Sequence, residues 1–582
     1  MDKIPSVPRR PTTPPSRGTP SEANGLRSTI DIGAQRLLPL ADLLVLQLLV
    51  AVGTLIAPLL GFPGWQGSVA GLAVALILVV RFRGTTLPRL IALRTGFWRQ
   101  RRIRGRRAKK QTPAEPFDVP MAEGTLIGFR WDGSTLMSLL QIEENPQAMT
   151  IMEPGMTVSG ETVPVQALVD CLQQFDITLD SIDVISQGAR SQGHSQVAAV
   201  YDAVLGPLPA IAQRNVWIAI RFDPSRCAAA VRRRGGGRNG ILRAAATATR
   251  RVANRLTEGG LRIRVLTASE IGQATNQLAD GVDLATVEET WRTCREGRFR
   301  LRSFAIRPRM LTTGGLGLLW TIPSYSTTMC LSLRRDRPRG PVQIRGLARF
   351  DAHGRARIDL RGLTHLRGYQ YSALAATLPV PPPPRQVEKW AYSSDSTTRD
   401  GVRDFEQLYI PASGCGQVIG ADDHGRAVAL SLFGPQIRRV EIAGTLHLAQ
   451  QVVLRSLALG AHVLVHSRRP AKWRTMVDEV DDHDLLWVTD FNRGSMQAGS
   501  DRNYSVEMFD GVAEQSVRVG VTAIVVVPPD SAVTANADVA LELLDIDTDS
   551  VKVSTRAGSS VVTMVATDEE MRYLKASLAD ED

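Results

Sequence analysis

Two uncharged apolar stretches, residues 43–60 and 65–80, stand near the N-terminus, joined only by Gly61-Phe62-Pro63-Gly64. Spanning a hydrocarbon core of about 30 Å takes roughly 17–25 apolar residues per helix, which each stretch supplies once its loop ends are counted. The expected fold class is therefore an α/β cytosolic region preceded by an N-terminal two-helix transmembrane hairpin, with spans at about 43–60 and 62–80. A cleaved signal peptide is disfavoured, because some 36 polar residues precede the first stretch and no small-residue cleavage site follows it. Gly67-Ser68-Val69-Ala70-Gly71 is a GxxxG pattern, and Gly67 and Gly71 are expected to let two helix backbones approach closely.

Positive charge crowds the same region. Arg81, Arg83, Arg99, Arg101, Arg102, Arg104, Arg106, Arg107, Lys109 and Lys110 follow the second stretch, with Arg89 and Arg94 among them. Up to position 115 there are eighteen basic and five acidic side chains, a net of +13 against +11 for the whole chain. The rest is near neutral, so the high pI does not come from a basic nucleic-acid-binding surface spread over a folded domain. Anionic inner-leaflet lipid is the expected partner of these cations, and nucleic acid is not. Because the short connector is uncharged, both termini are placed on the cytosolic side of the inner membrane. Residues 87–110 read as a helix on the membrane surface, with Leu90, Ile91, Leu93, Phe97, Trp98 and Ile103 on its apolar side.

Residues 1–36 form a Pro/Ser/Thr-rich leader with nothing to build a core, followed by the hairpin at 37–80 and a basic juxtamembrane segment at 81–115. Over 460 residues remain, too many for one ordinary core, so two α/β domains are expected, at 116–378 and 385–582, separated by the stiff proline run at 379–384. Residues 125–131 and 135–142 pattern as a hairpin with Asp132-Gly133 at its turn. Helix is expected at 165–174, 197–205 and 240–258, and strand at 177–186, 216–220 and 262–266. That alternation argues for layers of helix on sheet. In the second domain, strands are expected at 418–419, 428–433, 462–466, 521–527 and 561–565, with helices at 445–459 and 472–480 and a short acidic tail. Residues 300–370 read as a β element bridging the halves.

The chemistry of a catalyst is hard to find. Cys171, Cys227, Cys294, Cys330 and Cys415 are scattered without CxxC spacing and read as buried small hydrophobes. There is no phosphate loop of the G-x-x-x-x-G-K-[ST] kind. Gly235-Gly236-Gly237 reads as a surface loop amid arginines, although glycines there could also receive an anion. Gly414-Cys415-Gly416 imitates part of a dinucleotide turn but opens a strand, so no helix N-terminus would receive a phosphate. His462 and His466 fall on one face of a strand, and His483 lies in an acidic run. No cofactor, metal or catalytic residue is expected.

Arg214–Pro224 (RNVWIAIRFDP) is a Trp-containing strand ending in an Asp-Pro turn. An arginine-rich segment and the alanine-rich helix follow it, then a Trp-centred stretch from Trp291 to Gly297 and a glycine-rich turn at Pro411–Gly425 (PASGCGQVIGADDHG). In this order, behind a basic N-terminal hairpin, the segments resemble the EccE family, a membrane component of type VII (ESX) secretion machines. The resemblance covers roughly residues 37–480; the leader is longer than the family pattern, and 485–582 lies outside it. It reads Trp291–Gly297 as a helix end. It implies a non-enzymatic structural and assembly subunit of the inner-membrane core complex, partnered with EccB, EccC and EccD, that supports export of small helical proteins. A membrane-attached enzyme of glycosyltransferase-like fold, with Asp180 and Asp183 as its nearest acidic pair, and a membrane-tethered small-ligand sensor remain the alternatives.

Overall fold

The computed structural model describes residues 40–79, 87–107, 114–121, 124–145, 148–192, 196–335, 340–351, 358, 360–382, 387, 391–392, 405–490, 503–529 and 531–578. These fall into two compact units that divide after Trp98. The leader at 1–36 lies outside the described residues.

In the first unit, helix α1 (Leu40–Leu59) and helix α2 (Gly64–Val79) form an antiparallel pair. A third helix, α3 (Leu87–Arg107), runs across the division. Among the described residues no helix is long and apolar enough to cross a membrane. That overturns the transmembrane hairpin, and the multi-pass topology drawn from it loses its basis. The physical reason is length: α2 has 16 residues, a rise of about 24 Å, against a hydrocarbon thickness of about 30 Å. In α1, Asp42 and Gln47 interrupt the apolar run and Pro58 sits in the last turn, leaving about 18 Å of helix beyond Gln47. The expectation from sequence counts Gln47 and the loop ends into the spans.

The second unit is built on two large sheets. In the first, strands β1 (Phe117–Pro120), β2 (Leu126–Trp131) and β3 (Leu136–Ile142) lead into Gln213–Phe222, Ser181–Ala189, Ser326–Arg335, Val342–Asp351 and Phe299–Ile306, and every pairing is antiparallel. The β2–β3 hairpin turns at Asp132-Gly133 as expected, with Gly133 at φ 99° and the Asp132 carboxylate accepting the Ser134 N–H at 2.8 Å. Strand Gln213–Phe222 buries Val216, Ile218, Ile220 and Phe222 in one core, and Trp217 and Ala219 in the core on the opposite face. A sheet covered on both sides needs such an unbroken apolar run. The alanine-rich helix (Gly237–Glu258) closes one face through Ala244, Ala248, Val252 and Leu256.

Alternating strand and helix here does not produce parallel crossovers. Between Ser181–Ala189 and Gln213–Phe222, which pair antiparallel, the helix Gln196–Leu205 turns Val197, Tyr201 and Leu205 into the core of the other sheet. Its Tyr201 hydroxyl accepts the Val418 N–H at 2.9 Å. The expected β bridge at 300–370 is corrected too: Ser326–Arg335 and Val342–Asp351 are interior strands of the first sheet. Trp291–Gly297 is no helix end but the turn and second strand (Cys294–Glu296) of a small hairpin.

The second sheet is mixed. Leu486–Asp490, Val463–Ser467, Val506–Asp510, Thr522–Val527, Arg439–Ala443 and Val539–Asp545 run parallel in that spatial order. Helices Leu446–Ala458 and Pro470–Val480 cross over between parallel strands. Antiparallel strands complete the sheet, and its far edge comes from early in the chain: Thr150–Glu153 pairs with Ala427–Leu430, and Met156–Ser159 pairs with Thr150–Glu153. Nearby, Thr162–Pro164 pairs with Tyr409–Pro411. The expected acidic tail is instead the helix Asp568–Leu578, whose Tyr573 and Leu574 enter the second core.

Candidate functional site

At Gly67 an added Cβ would collide with the carbonyl oxygen of Gly53 and stand 2.6 Å from Ala57 Cβ; at Gly71 it would stand 2.6 Å from Leu49 O. Only hydrogen fits there, and Thr54 Oγ1 and Ser68 Oγ share a 2.9 Å hydrogen bond across the same seam. Arg99, Arg101 and Arg102 are exposed on α3. Arg104, Arg106 and Arg107 lie on its last turns, while Arg81, Arg83, Lys109 and Lys110 lie outside the described residues.

In the antiparallel half, a cavity of about 310 Å³ opens beside the β2–β3 turn. Its floor is charged and buried. Arg221 Nε donates to Asp183 Oδ2 at 3.1 Å, and Arg221 Nη2 donates to Val380 O at 3.2 Å. Arg345 donates to Ser332 Oγ at 2.9 Å and to Val387 O at 3.2 Å, and burial pulls its pKa below the usual arginine value. Ser372 Oγ, fully buried on the helix Gln370–Ala376, has no hydrogen-bond partner among the described residues. Asp132, Asp180 and Asp223 line the more open part. Burial raises the Asp180 pKa against the opposing pull of Arg226, which donates to it at 3.0 Å.

The acidic pair noted in the sequence is thus committed to arginines, Asp180 to Arg226 and Asp183 to Arg221. The open, Asp-rich strand end that a glycosyltransferase-like reading needs is not what these two residues form. Sequence reasoning missed Arg345 and Ser372, which reach the cavity from distant parts of the chain.

Ligands of open parallel sheets bind beyond the carboxyl ends of the strands, and here that position is filled. The Asp510 carboxylate, wholly buried at the end of Val506–Asp510, accepts from Ser467 Oγ at 2.7 Å, Trp473 Nε1 at 3.0 Å and Arg469 Nη2 at 2.7 Å. At the next crevice the Gly444 N–H donates to Val527 O at 3.1 Å. The glycine cluster before Gln417–Ala421 is a structural turn: Gly416 has φ 71°, and a Cβ there would collide with Leu430.

All five cysteines are buried, and none forms a disulfide. Burial pushes Cys171 and Cys415 up to about 11 and Cys330 up to about 12, where a thiolate nucleophile is not available at neutral pH. The His466 ring stacks on Phe509 at 5.2 Å, and His462 Nδ1 bonds Asp484 O at 2.7 Å. Asp422, Asp423 and His424 gather at an exposed turn, where Asp422 already accepts from Arg426 Nε at 2.9 Å.

Residues 210–306 match the family profile for EccE, type VII ESX secretion system translocon. That stretch runs from Gln213–Phe222 through the alanine-rich helix to Phe299–Ile306, and supplies Arg221 and Asp223 to the cavity. Over that stretch the chain is similar to the EccE family. It is 25% identical over 323 residues to the ESX-1 secretion system protein EccE1 of Mycolicibacterium smegmatis, covering 54% of this chain and 64% of that one. It is 26% identical over 335 residues to the ESX-5 secretion system protein EccE5 of Mycobacterium marinum, covering 54% of this chain and 80% of that one. With the ESX-2 secretion system protein EccE2 of Mycobacterium tuberculosis it shares 23% identity over 347 residues, 59% of this chain and 61% of that one. The first of these matches therefore spans less than two thirds of the relative's length.

Proposed function

We propose that this EccE-like chain is a structural and assembly subunit of the membrane complex of a type VII (ESX) secretion system, supporting export of small helical proteins. The observation that carries this reading is the EccE match over 210–306, the strand–helix–strand heart of the antiparallel sheet, joined to relatives named as ESX secretion system proteins. The chain acts without catalysis in this reading. It docks on neighbours of the EccB, EccC and EccD type. Gly67 and Gly71 serve as the close-packing seam of α1 and α2. Arg99, Arg101 and Arg102, with the basic residues flanking them, face anionic lipid. The two-module division, 116–378 and 385–582, belongs to the same proposal, with 150–159 lent by the first module to the second sheet and Phe405, Leu408, Ile410 and Ala412 lent by the second to the first core.

Purification of the tagged chain from native membranes tests the reading. Stoichiometric recovery of a secretion ATPase subunit is the expected result. Recovery of a solitary chain that turns over a nucleotide-sugar would overturn it.

A further inference from the structure

At the tip of a minimal hairpin between Gln173–Gln174 and Ile177–Thr178, Phe175 is 93% exposed and sits at φ 51°. Both facts run against the residue type. A bulky side chain in the left-handed region is a true outlier, and such strain persists where the surroundings or function demand it. A phenyl ring held in water forfeits its burial.

One guanidinium stands over the ring, and others lie at its neighbour Asp176 and the adjoining Gly235 loop. Arg251 stands over the ring at 5.2 Å and donates to Gln174 O at 3.3 Å. Arg233 and Arg234 approach Asp176, at 3.7 and 2.7 Å, and the Arg233 side chain is 71% exposed. Arg243 lies 3.8 Å from where a Cβ on Gly235 would be. Asp176 is the acidic group that these contacts bring to the tip, and its pKa is held down by the Arg234 hydrogen bond, so it stays charged. The surface thus combines one projecting aromatic with an excess of cations.

We infer that this tip is a lipid-contact site: Phe175 inserts among the acyl chains just below the headgroups, while Arg233, Arg243 and Arg251 hold anionic phosphates around it. Two physical arguments select lipid over a protein partner. A stable protein interface needs a cluster of apolar residues at its centre, and on the helices that the tip contacts, Ala228–Arg233 and Gly237–Glu258, no large hydrophobic stands exposed beside Phe175 among the described residues. Insertion of a single ring flanked by basic residues is instead how peripheral surfaces engage an anionic leaflet. This contact involves none of the α3 residues and does not depend on the subunit assignment.

The test places a photoreactive benzophenone analogue of phenylalanine at position 175 of the full chain, reconstituted with vesicles of phosphatidylcholine containing about a third phosphatidylglycerol. Illumination is expected to give a phospholipid adduct at that position. Replacing the anionic lipid with phosphatidylcholine alone, or introducing R233E and R251E together, is expected to lower the yield at least about fivefold. Because the readout is local, other segments that hold the chain at the vesicle do not mimic it. Adducts only to protein, no lipid adduct, or a yield indifferent to anionic lipid would each overturn the inference.

Discussion

Arg455 and Glu570 form a buried ion pair, Nε to Oε1 at 2.7 Å and Nη2 to Oε2 at 3.0 Å, with side chains only 2% and 1% exposed. Arg455 Nη1 also donates to the carbonyls of Val418 and Ile419 at 2.9 Å, and Nη2 reaches Val565 O. One side chain thereby ties the crossover helix to the C-terminal helix and to a β-strand. Glu570→Gln is expected to destabilise the fold by about 3–5 kcal/mol, because it strands a guanidinium in the interior. The double replacement Arg455→Met with Glu570→Leu is expected to recover much of that loss. Chemical denaturation of the three proteins measures it; equal losses for the single and double changes would contradict the account.

Burial alone would raise the pKa of Asp510, yet the hydrogen bonds from Arg469, Trp473 and Ser467 outweigh it and hold the carboxyl below its usual range. A depressed carboxylate stabilises the fold above its unfolded pKa of about 3.9, and that stability is lost as pH falls through the lower folded value. Asp510→Asn should cost about 2 kcal/mol near neutrality and flatten the acid limb of a melting-temperature profile below pH about 4. An unchanged slope on that limb would count against the assignment.

The α1–α2 seam makes a geometric prediction. Cysteines replacing Thr54 and Ser68, whose hydroxyls meet at 2.9 Å, should couple under mild oxidation. Adding Gly67→Ile should cut the coupling several-fold, since the new side chain meets the α1 backbone. Mobility on a non-reducing gel reports the outcome, and undiminished coupling would show that close approach is not needed.

With every cysteine buried and three thiols shifted to about 11 or 12, the folded chain should resist a thiol-reactive disulfide reagent near pH 8. All five thiols should react once denaturant is added. Rapid modification of the native protein would place at least one cysteine at the surface.

Legibility followed the range over which each feature is encoded. The Asp132-Gly133 hairpin and the strand around Trp217 announce themselves locally, through turn chemistry and an apolar run. The helix Asp568–Leu578 hides behind Asp568, Glu569 and Glu570, which look like a solvated tail but are first-turn acids suited to the helix dipole. The strand Val342–Asp351 alternates weakly because Arg345 and Arg349 are buried within it, and a buried arginine breaks the apolar rhythm. Of the charged cavity, Asp180 stands near Asp183 in sequence and Arg221 near Asp223; these two pairs, Arg345 and Ser372 are brought together by tertiary folding alone. The apolar helices misled for a simpler reason: hydrophobic length was read across Gln47 and the loop ends.

The strand Thr150–Glu153 completes its hydrogen bonding only against Ala427–Leu430. During synthesis, the early half leaves the ribosome with this edge bare, long before its mate exists. Maturation of the whole thus waits on the last third of the polypeptide, and a prematurely terminated product would carry an open β edge prone to self-association. The exchange ties closure of the early sheet edge to synthesis of the late strands.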